Sequence, residues 1–231
     1  MSVTDLTAST QNYLKAIWTL QEYSEDPVTA KVLAEKIGVR LSSASDAVRK
    51  LADQQLVIHQ PYGSVELTAE GTGYAIDMVR RHRLIEAFLV ETLGYRWDEV
   101  HEEADALEHA VSDMMIDRID QHLGFPTRDP HGDPIPRRDG SIDAPELDCL
   151  SVLHVGDRAR IERISDADPA MLQFFARQGL HPGVEFTIVP SAPYSGSMAV
   201  SVGEESSEPV WLGVDATNSI WVYRLSSPET S

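Results

Sequence analysis

Apolar positions in the first third of the chain recur three and four residues apart, the period of an amphipathic helix. Tyr13, Leu14, Ile17 and Leu20 predict a first helix, capped by Ser9 or Thr10. Val32, Leu33 and Ile37 predict a second over about 31–37, stopped by Gly38. A third is expected from a cap at Ser42 or Ser43 to about Gln54, where Ser43 followed by Asp46 resembles a capping box. Ala44, Val48 and Leu51 form its inner stripe. LVIHQ and SVELT, with Pro61, Tyr62 and Gly63 between them, give a β-hairpin signal. A long helix is expected from about Thr68 to Leu93, and a further one over about 97–123, each followed by glycine.

The pattern then breaks. Residues 124–150 hold five prolines and three glycines and show no apolar period, which predicts a partly extended linker. Beyond it the alternation is that of strands. Ala159 and Ile161, then Val184, Phe186 and Ile188, then Met198, Val200 and Val202 lead to a last run, IWVYRL. One short helix over about 169–178 interrupts them, and together they predict a small β-barrel. The fold class is therefore mainly α with β. The expected domains are 1–73, 74–124, the linker 125–150, and 151–231.

Helix, short turn, helix and hairpin is the winged helix-turn-helix arrangement, and it points to double-stranded DNA. The third helix would present Arg40, Ser42, Ser43 and Asp46 to the major groove, with Arg49 and Lys50 one turn on. Thr29 and Lys31 would flank the phosphate backbone, and Tyr62 and Ser64 would ride on the wing. A winged helix used only for protein contact is the alternative.

Charge changes the picture. The 231-residue chain has a formal net charge of -18, unusual for a DNA binder. Residues 1–83 carry nine Lys/Arg against ten Asp/Glu, residues 84–150 carry five against seventeen, and residues 151–231 carry five against ten. The acid is concentrated in the middle, where a solvated face or a divalent-cation site would account for it. His101, Asp105, Glu108 and His109 are spaced to project from one helical face, and His82 and Glu86 lie one turn apart on the preceding helix. Imidazoles and carboxylates grouped in this way suit first-row transition metals. A ferritin-like di-metal enzyme also uses such helices, but needs four long core helices where two surround these residues.

These motifs, TQNYLKAIWTL, LAEKIGVRLSSASDAVRKL, RRHRLIEAFL, VHEEADALEHAVSD and DPHGDPIP, resemble the diphtheria toxin repressor family of metal-dependent regulators, over nearly the whole chain. The likeness is closest to the manganese-transport-regulator branch of actinobacteria. It implies an SH3-like C-terminal barrel, a helical metal-binding and dimerisation domain, and two metal sites per subunit. One site would use His82, Glu86 and His101 with Asp168 from the barrel, where Asp166 or Met171 are alternatives. The other would use Asp105, Glu108 and His109 with Asn12 from the first helix. Iron-responsive members have Cys and Met where this chain has Asp105 and Asn12, and oxygen donors there favour the harder Mn²⁺. Asn12 departs from the Asp of the best-known manganese sensors.

The resemblance implies a manganese-dependent repressor that binds palindromic operator DNA as a homodimer and controls metal-uptake genes. An iron-dependent repressor is the alternative, with Fe²⁺ in place of Mn²⁺ and Co²⁺ or Zn²⁺ as surrogates. A dinuclear metalloenzyme is the rival from another class, but no nucleophile motif or phosphate loop accompanies the ligand set, so no catalysis and no small-molecule substrate are expected. No apolar run approaches the roughly 18 residues of a membrane span. The N-terminus lacks the features of a signal peptide, and the single Cys149 fits a reducing compartment, so a cytoplasmic protein is expected.

Overall fold

A computed structural model describes residues 2–24, 26–60, 63–143, 145–192, 194–203 and 208–225. Its chain forms two compact units, each drawn from separate stretches of sequence. The first holds 1–88, 103–127 and 135–142, and the second holds 89–102, 128–134 and 143–231.

The first unit begins with helix α1, Ala8–Tyr23, whose cap is Thr7 and not Ser9 or Thr10, because the Thr7 hydroxyl accepts from the Thr10 amide. Tyr13, Leu14 and Ile17 are buried as their spacing predicts. Helix α2, Ala30–Ile37, is capped by Thr29 and closed by Gly38 in the left-handed region at φ 75°, which a glycine adopts without steric cost. Helix α3, Leu41–Asp53, starts earlier than expected, with Arg40 at the cap position. Ser42 and Ser43 therefore lie inside its first turn with exposed side chains, and the anticipated Ser43–Asp46 capping box is absent. The stripe Ala44, Val48 and Leu51 is buried as read.

Strands β1, Val57–His59, and β2, Val65–Leu67, pair antiparallel with Val57 opposite Leu67. Val65 donates its amide to the Val28 carbonyl at 2.8 Å, and Thr29 bridges to Ser64, so the wing is tied to the start of α2. Helix α4, Ala69–Leu93, follows directly. A Cβ at Gly71 would overlap the Leu56 carbonyl oxygen, so only glycine lets α4 start this close to β1.

Three arginines near the middle of α4 fix its neighbours, since successive residues of a helix point about 100° apart. Arg80 donates to Asp120 at 2.7 Å and to the Pro136 carbonyl at 3.0 Å. Arg81 donates to the Val111 carbonyl at 2.6 Å and pairs with Asp113. Arg83 donates to Glu22 of α1 at 2.6 Å. All three arginines are buried.

The single helix expected over 97–123 is two. Helix α5 is Val100–Leu107 and helix α6 is Asp113–His122. Ser112 breaks them apart, because its hydroxyl accepts from the Met115 amide and starts a new helix. Glu108 and His109 thus follow the last turn of α5 rather than continuing its face, although the Glu108 amide still bonds the Ala104 carbonyl at 2.9 Å.

The second unit is built on six antiparallel strands in the order β3-β8-β4-β5-β6-β7. These are Asp148–Cys149, Arg158–Ile164, Glu185–Val189, Met198–Val202, Val210–Leu212 and Ile220–Leu225, numbered β3 to β8 in chain order. β3 and β7 are the edges, so the sheet is open and the expected closed barrel is not formed. Helix α7, Pro169–Arg177, packs Leu172 and Phe175 into the core, and a short helix α8, Val214–Asn218, precedes β8.

Within the expected linker, Asp129 and residues 131–136 are buried. Asp129 accepts from the His131 and Asp133 amides at 2.9 Å, a turn made by the side chain itself. His131 stacks on Trp97 and bonds its carbonyl at 2.7 Å. A Cβ at Gly132, at φ 91°, would overlap the Glu162 carbonyl oxygen. Asp133 forms a buried ion pair with Arg163, whose guanidinium lies 4.0 Å from the Trp221 ring centre.

Candidate metal centre

Three elements of the first unit converge on one point. α4 brings His82, α5 and the turn after it bring Asp105 and Glu108, and α1 brings Lys15. His82 Nδ1 lies 2.7 Å from Glu108 Oε2 and 3.3 Å from Asp105 Oδ1. The ligand atoms of His82, Asp105 and Glu108 all fall within 4.8 Å of one another. The other ring nitrogen of His82, Nε2, is 3.0 Å from Glu86 Oε1.

Into this cluster runs the Lys15 side chain. Its Nζ is 2.7 Å from Asp105 Oδ1, 2.7 Å from Glu108 Oε1 and 3.3 Å from His82 Nδ1. The Glu108 side chain is fully buried, Lys15 is 17% exposed, and Asp105 is 48% exposed. Burial by itself would disfavour every charge here, and mutual attraction outweighs it. For His82, burial and the Lys15 charge pull the pKa down, but Glu86 and the hydrogen bonds that Asp105 and Glu108 accept from it lift it well above the usual imidazole range. For Lys15, burial again opposes, and Glu108 and Asp105 raise it. For Asp105, burial opposes and the bonds from His82 and Lys15 hold its carboxyl far below the usual carboxylate range.

His109 is oriented from outside the cluster. Gln11 uses its amide nitrogen on the Val3 and Leu6 carbonyls, at 2.7 Å and 3.2 Å. Its oxygen therefore accepts from His109 Nδ1–H at 2.6 Å. That fixes the tautomer and leaves the Nε2 lone pair available, 3.5 Å from Glu108 Oε1. The donor set fits a divalent cation. Two carboxylates and two imidazoles meet where an ammonium already takes the place of positive charge.

Asn12 is half-buried, and its side chain makes no hydrogen bond among the described residues. The contacts from α1 to the cluster come from Gln11 and Lys15, one turn apart, and neither belongs to the spaced His/Asp/Glu motif. In the second unit, His101 Nδ1 lies 2.8 Å from Asp166 Oδ2. Asp168 is the cap of α7, its Oδ1 accepting from the Ala170 and Met171 amides. Its position before Pro169 carried that signal, since proline favours the first turn of a helix.

The DNA-facing candidates share the outer face of the winged helix. Arg40, Ser42, Ser43, Asp46, Arg49 and Lys50 are all exposed, opposite the buried stripe of α3. Asp46 lies 3.3 Å from Arg49, and Lys31 lies 3.9 Å from Glu35, both pairs in solvent. Thr29 is half-buried as the cap of α2. Tyr62 lies outside the described residues. Val39 and Leu41 are exposed beside the polar set, as apolar side chains facing a groove would be.

Three known domain families match parts of the chain. Residues 5–65 match the iron dependent repressor N-terminal DNA binding domain. Residues 68–137 match the iron dependent repressor metal binding and dimerisation domain. Residues 149–222 match the FeoA domain. The diphtheria toxin repressor of Corynebacterium efficiens is 31% identical over 199 residues, 80% of this chain and 84% of that one. The chain belongs to the iron-dependent repressor family.

Within that family, the iron-dependent repressor IdeR of Mycobacterium leprae is 36% identical over 132 residues, and the match spans 57% of either chain. Among solved structures, a manganese-dependent transcriptional repressor in complex with manganese is 50% identical, with a TM-score of 0.88 over 94% of this chain and 100% of that one. His82, Glu86, His101, Asp105, Glu108 and His109 all fall in the segment matching the family's metal-binding and dimerisation domain.

Proposed function

We propose that this chain is a manganese-dependent transcriptional repressor that binds palindromic operator DNA as a metal-loaded homodimer, rather than a catalyst. The observation that carries the reading is the converging set Asp105, Glu108, His82 and His109, all oxygen and nitrogen donors without sulfur. Such a set suits a hard or borderline divalent ion. The similar structure bound to manganese supports the same choice of metal. Fe²⁺ is the second reading, favoured by the iron-dependent relatives. Co²⁺ and Zn²⁺ should serve as surrogates, because affinity for such donors rises across the first row.

Two ions per subunit are proposed. One takes Asp105, Glu108 and His109, with Asn12 as the amide ligand the family pattern implies. The second takes His82, Glu86 and His101, with Asp168 or Asp166 as the carboxylate. The bound ion supplies concentrated positive charge. What the chain supplies is orientation. Gln11 holds His109 in one tautomer, and the same side chain ties the segment around Val3–Leu6 to the cluster. α1 packs with α2 and α3 in one core, so a change at the metal cluster reaches the reading helix through α1. Metal and DNA binding are then coupled, each tightening the other by the same factor.

The DNA contacts are assigned to Arg40, Ser42, Ser43, Asp46, Arg49 and Lys50 in the major groove. Thr29 and Lys31 are assigned to the phosphates and Tyr62 to the wing. A gel shift on DNA upstream of the chain's own gene tests the proposal. Retardation should require added Mn²⁺ and vanish with chelator, and equal retardation with and without metal would refute it.

The dimer interface is placed around Leu107, Val111 and Met115. Met114 and Met115 are 72% and 49% exposed, an unusual exposure for large apolar side chains on a short helix. Sedimentation at micromolar protein with Mn²⁺ should give a dimer, and changing Met115 to aspartate should shift it toward monomer. A wild-type monomer under these conditions would overturn the assignment.

A further inference from the structure

We infer that Lys15 is a resident counter-cation that competes with the metal ion for the cluster and so sets the metal concentration at which the cluster fills. The inference rests on the metal-binding reading above. Lys15 is not on a helix that supplies any of Asp105, Glu108, His82 or His109, yet its Nζ touches three of those four side chains. It is 2.7 Å from Asp105 Oδ1, 2.7 Å from Glu108 Oε1, 2.8 Å from Glu108 Oε2 and 3.3 Å from His82 Nδ1. The carboxylate oxygens among them are atoms a divalent ion would need. Without metal, two carboxylates held this close in a largely buried site would repel, and the ammonium removes that repulsion.

A divalent ion and an ammonium cannot share this point. At about 3–4 Å in a protein interior their repulsion is several times the thermal energy. Metal entry must therefore drive Nζ out of the cluster. Lys15 lies one turn from Gln11 on α1, and Gln11 holds His109 and the Val3 and Leu6 carbonyls. Expulsion of the ammonium thus acts on the helix that is already fastened to the cluster at its other contact. Lys15 would be both a threshold for metal and a latch on α1.

The test uses the full chain. Mn²⁺ affinity is measured by titration calorimetry at fixed pH for wild type and for Lys15→Leu, which keeps an apolar stem and removes the charge. The variant should bind Mn²⁺ about tenfold more tightly or better. Its metal-free form should melt at a lower temperature than wild type while its metal-loaded form does not. A side chain with a merely structural role would leave metal affinity unchanged or weaken it, and either result overturns the inference. Should Lys15→Leu not fold, wild type provides a second measurement. Amine labelling read by mass spectrometry should find Lys15 protected in metal-free protein and reactive once Mn²⁺ is saturating. Equal labelling in both states overturns the inference. Metal-dependent DNA binding of wild type is scored separately. If it holds while Lys15→Leu gains no affinity, only the lysine role falls. If the variant gains affinity and DNA binding ignores metal, only the repressor reading falls.

Discussion

Glu108→Gln is expected to weaken Mn²⁺ binding about a hundredfold or more and to abolish metal-dependent DNA binding. The change keeps the shape of a fully buried side chain and removes its charge. Glu108 contacts both Lys15 and His82 within 2.8 Å, and it lies 3.5 Å from His109. An ion arriving there would meet an amide where it needs an anion, while Lys15 and His82 would still contribute positive charge. Thermal unfolding reads the loss directly. A ligand at a hundred times its Kd stabilises the native state by about 2.7 kcal/mol. Wild type should show that gain on adding Mn²⁺, and the variant should show almost none at the same concentration. A variant that keeps the wild-type metal dependence in both melting and DNA binding would remove Glu108 from the centre.

Arg163→Leu is expected to cost about 3–5 kcal/mol, because it leaves the Asp133 carboxylate in the interior without its cation. Both side chains are almost wholly buried, and the guanidinium also covers the Trp221 ring. The melting temperature of the affected transition should fall by roughly 10–20 °C. Arg163→Leu combined with Asp133→Leu should recover part of the loss, since an apolar pair leaves no unpaired charge. A single-variant loss below about 1 kcal/mol would show that the pair does not hold the 128–134 segment in place.

Much of this was legible from residues alone. The stripe Ala44, Val48 and Leu51 announced the packed face of α3, and burial then leaves the polar positions on the other side by geometry. The spacing of His82 and Glu86 placed both on one face of α4, where they lie 3.0 Å apart. The break between α5 and α6 was less visible. The acidic pattern runs through it, and only the cap at Ser112 ends one helix and starts another. Gln11 and Lys15 were hidden for a different reason. They act on residues about ninety positions away, and a periodicity argument looks only along one element. The need for a counter-charge to so much acid was the available clue to Lys15. The burial of Asp129 and residues 131–136 was obscured by proline and glycine, which read as a linker. Asp129 instead satisfies the turn's amides itself, so the segment can leave water without orphaned donors.

Metal at the Asp105, Glu108 and His109 centre is expected to drive DNA binding. This is tested most directly by operator affinity, measured by fluorescence anisotropy, across buffered free Mn²⁺, Fe²⁺, Co²⁺ and Zn²⁺. Zn²⁺ and Co²⁺ should bind the protein more tightly than Mn²⁺, following the general order of affinity. Mn²⁺ should nevertheless produce full DNA affinity, through oxygen-rich coordination that four-coordinate Zn²⁺ does not need. DNA affinity that is the same in chelator as in saturating Mn²⁺ would contradict the account.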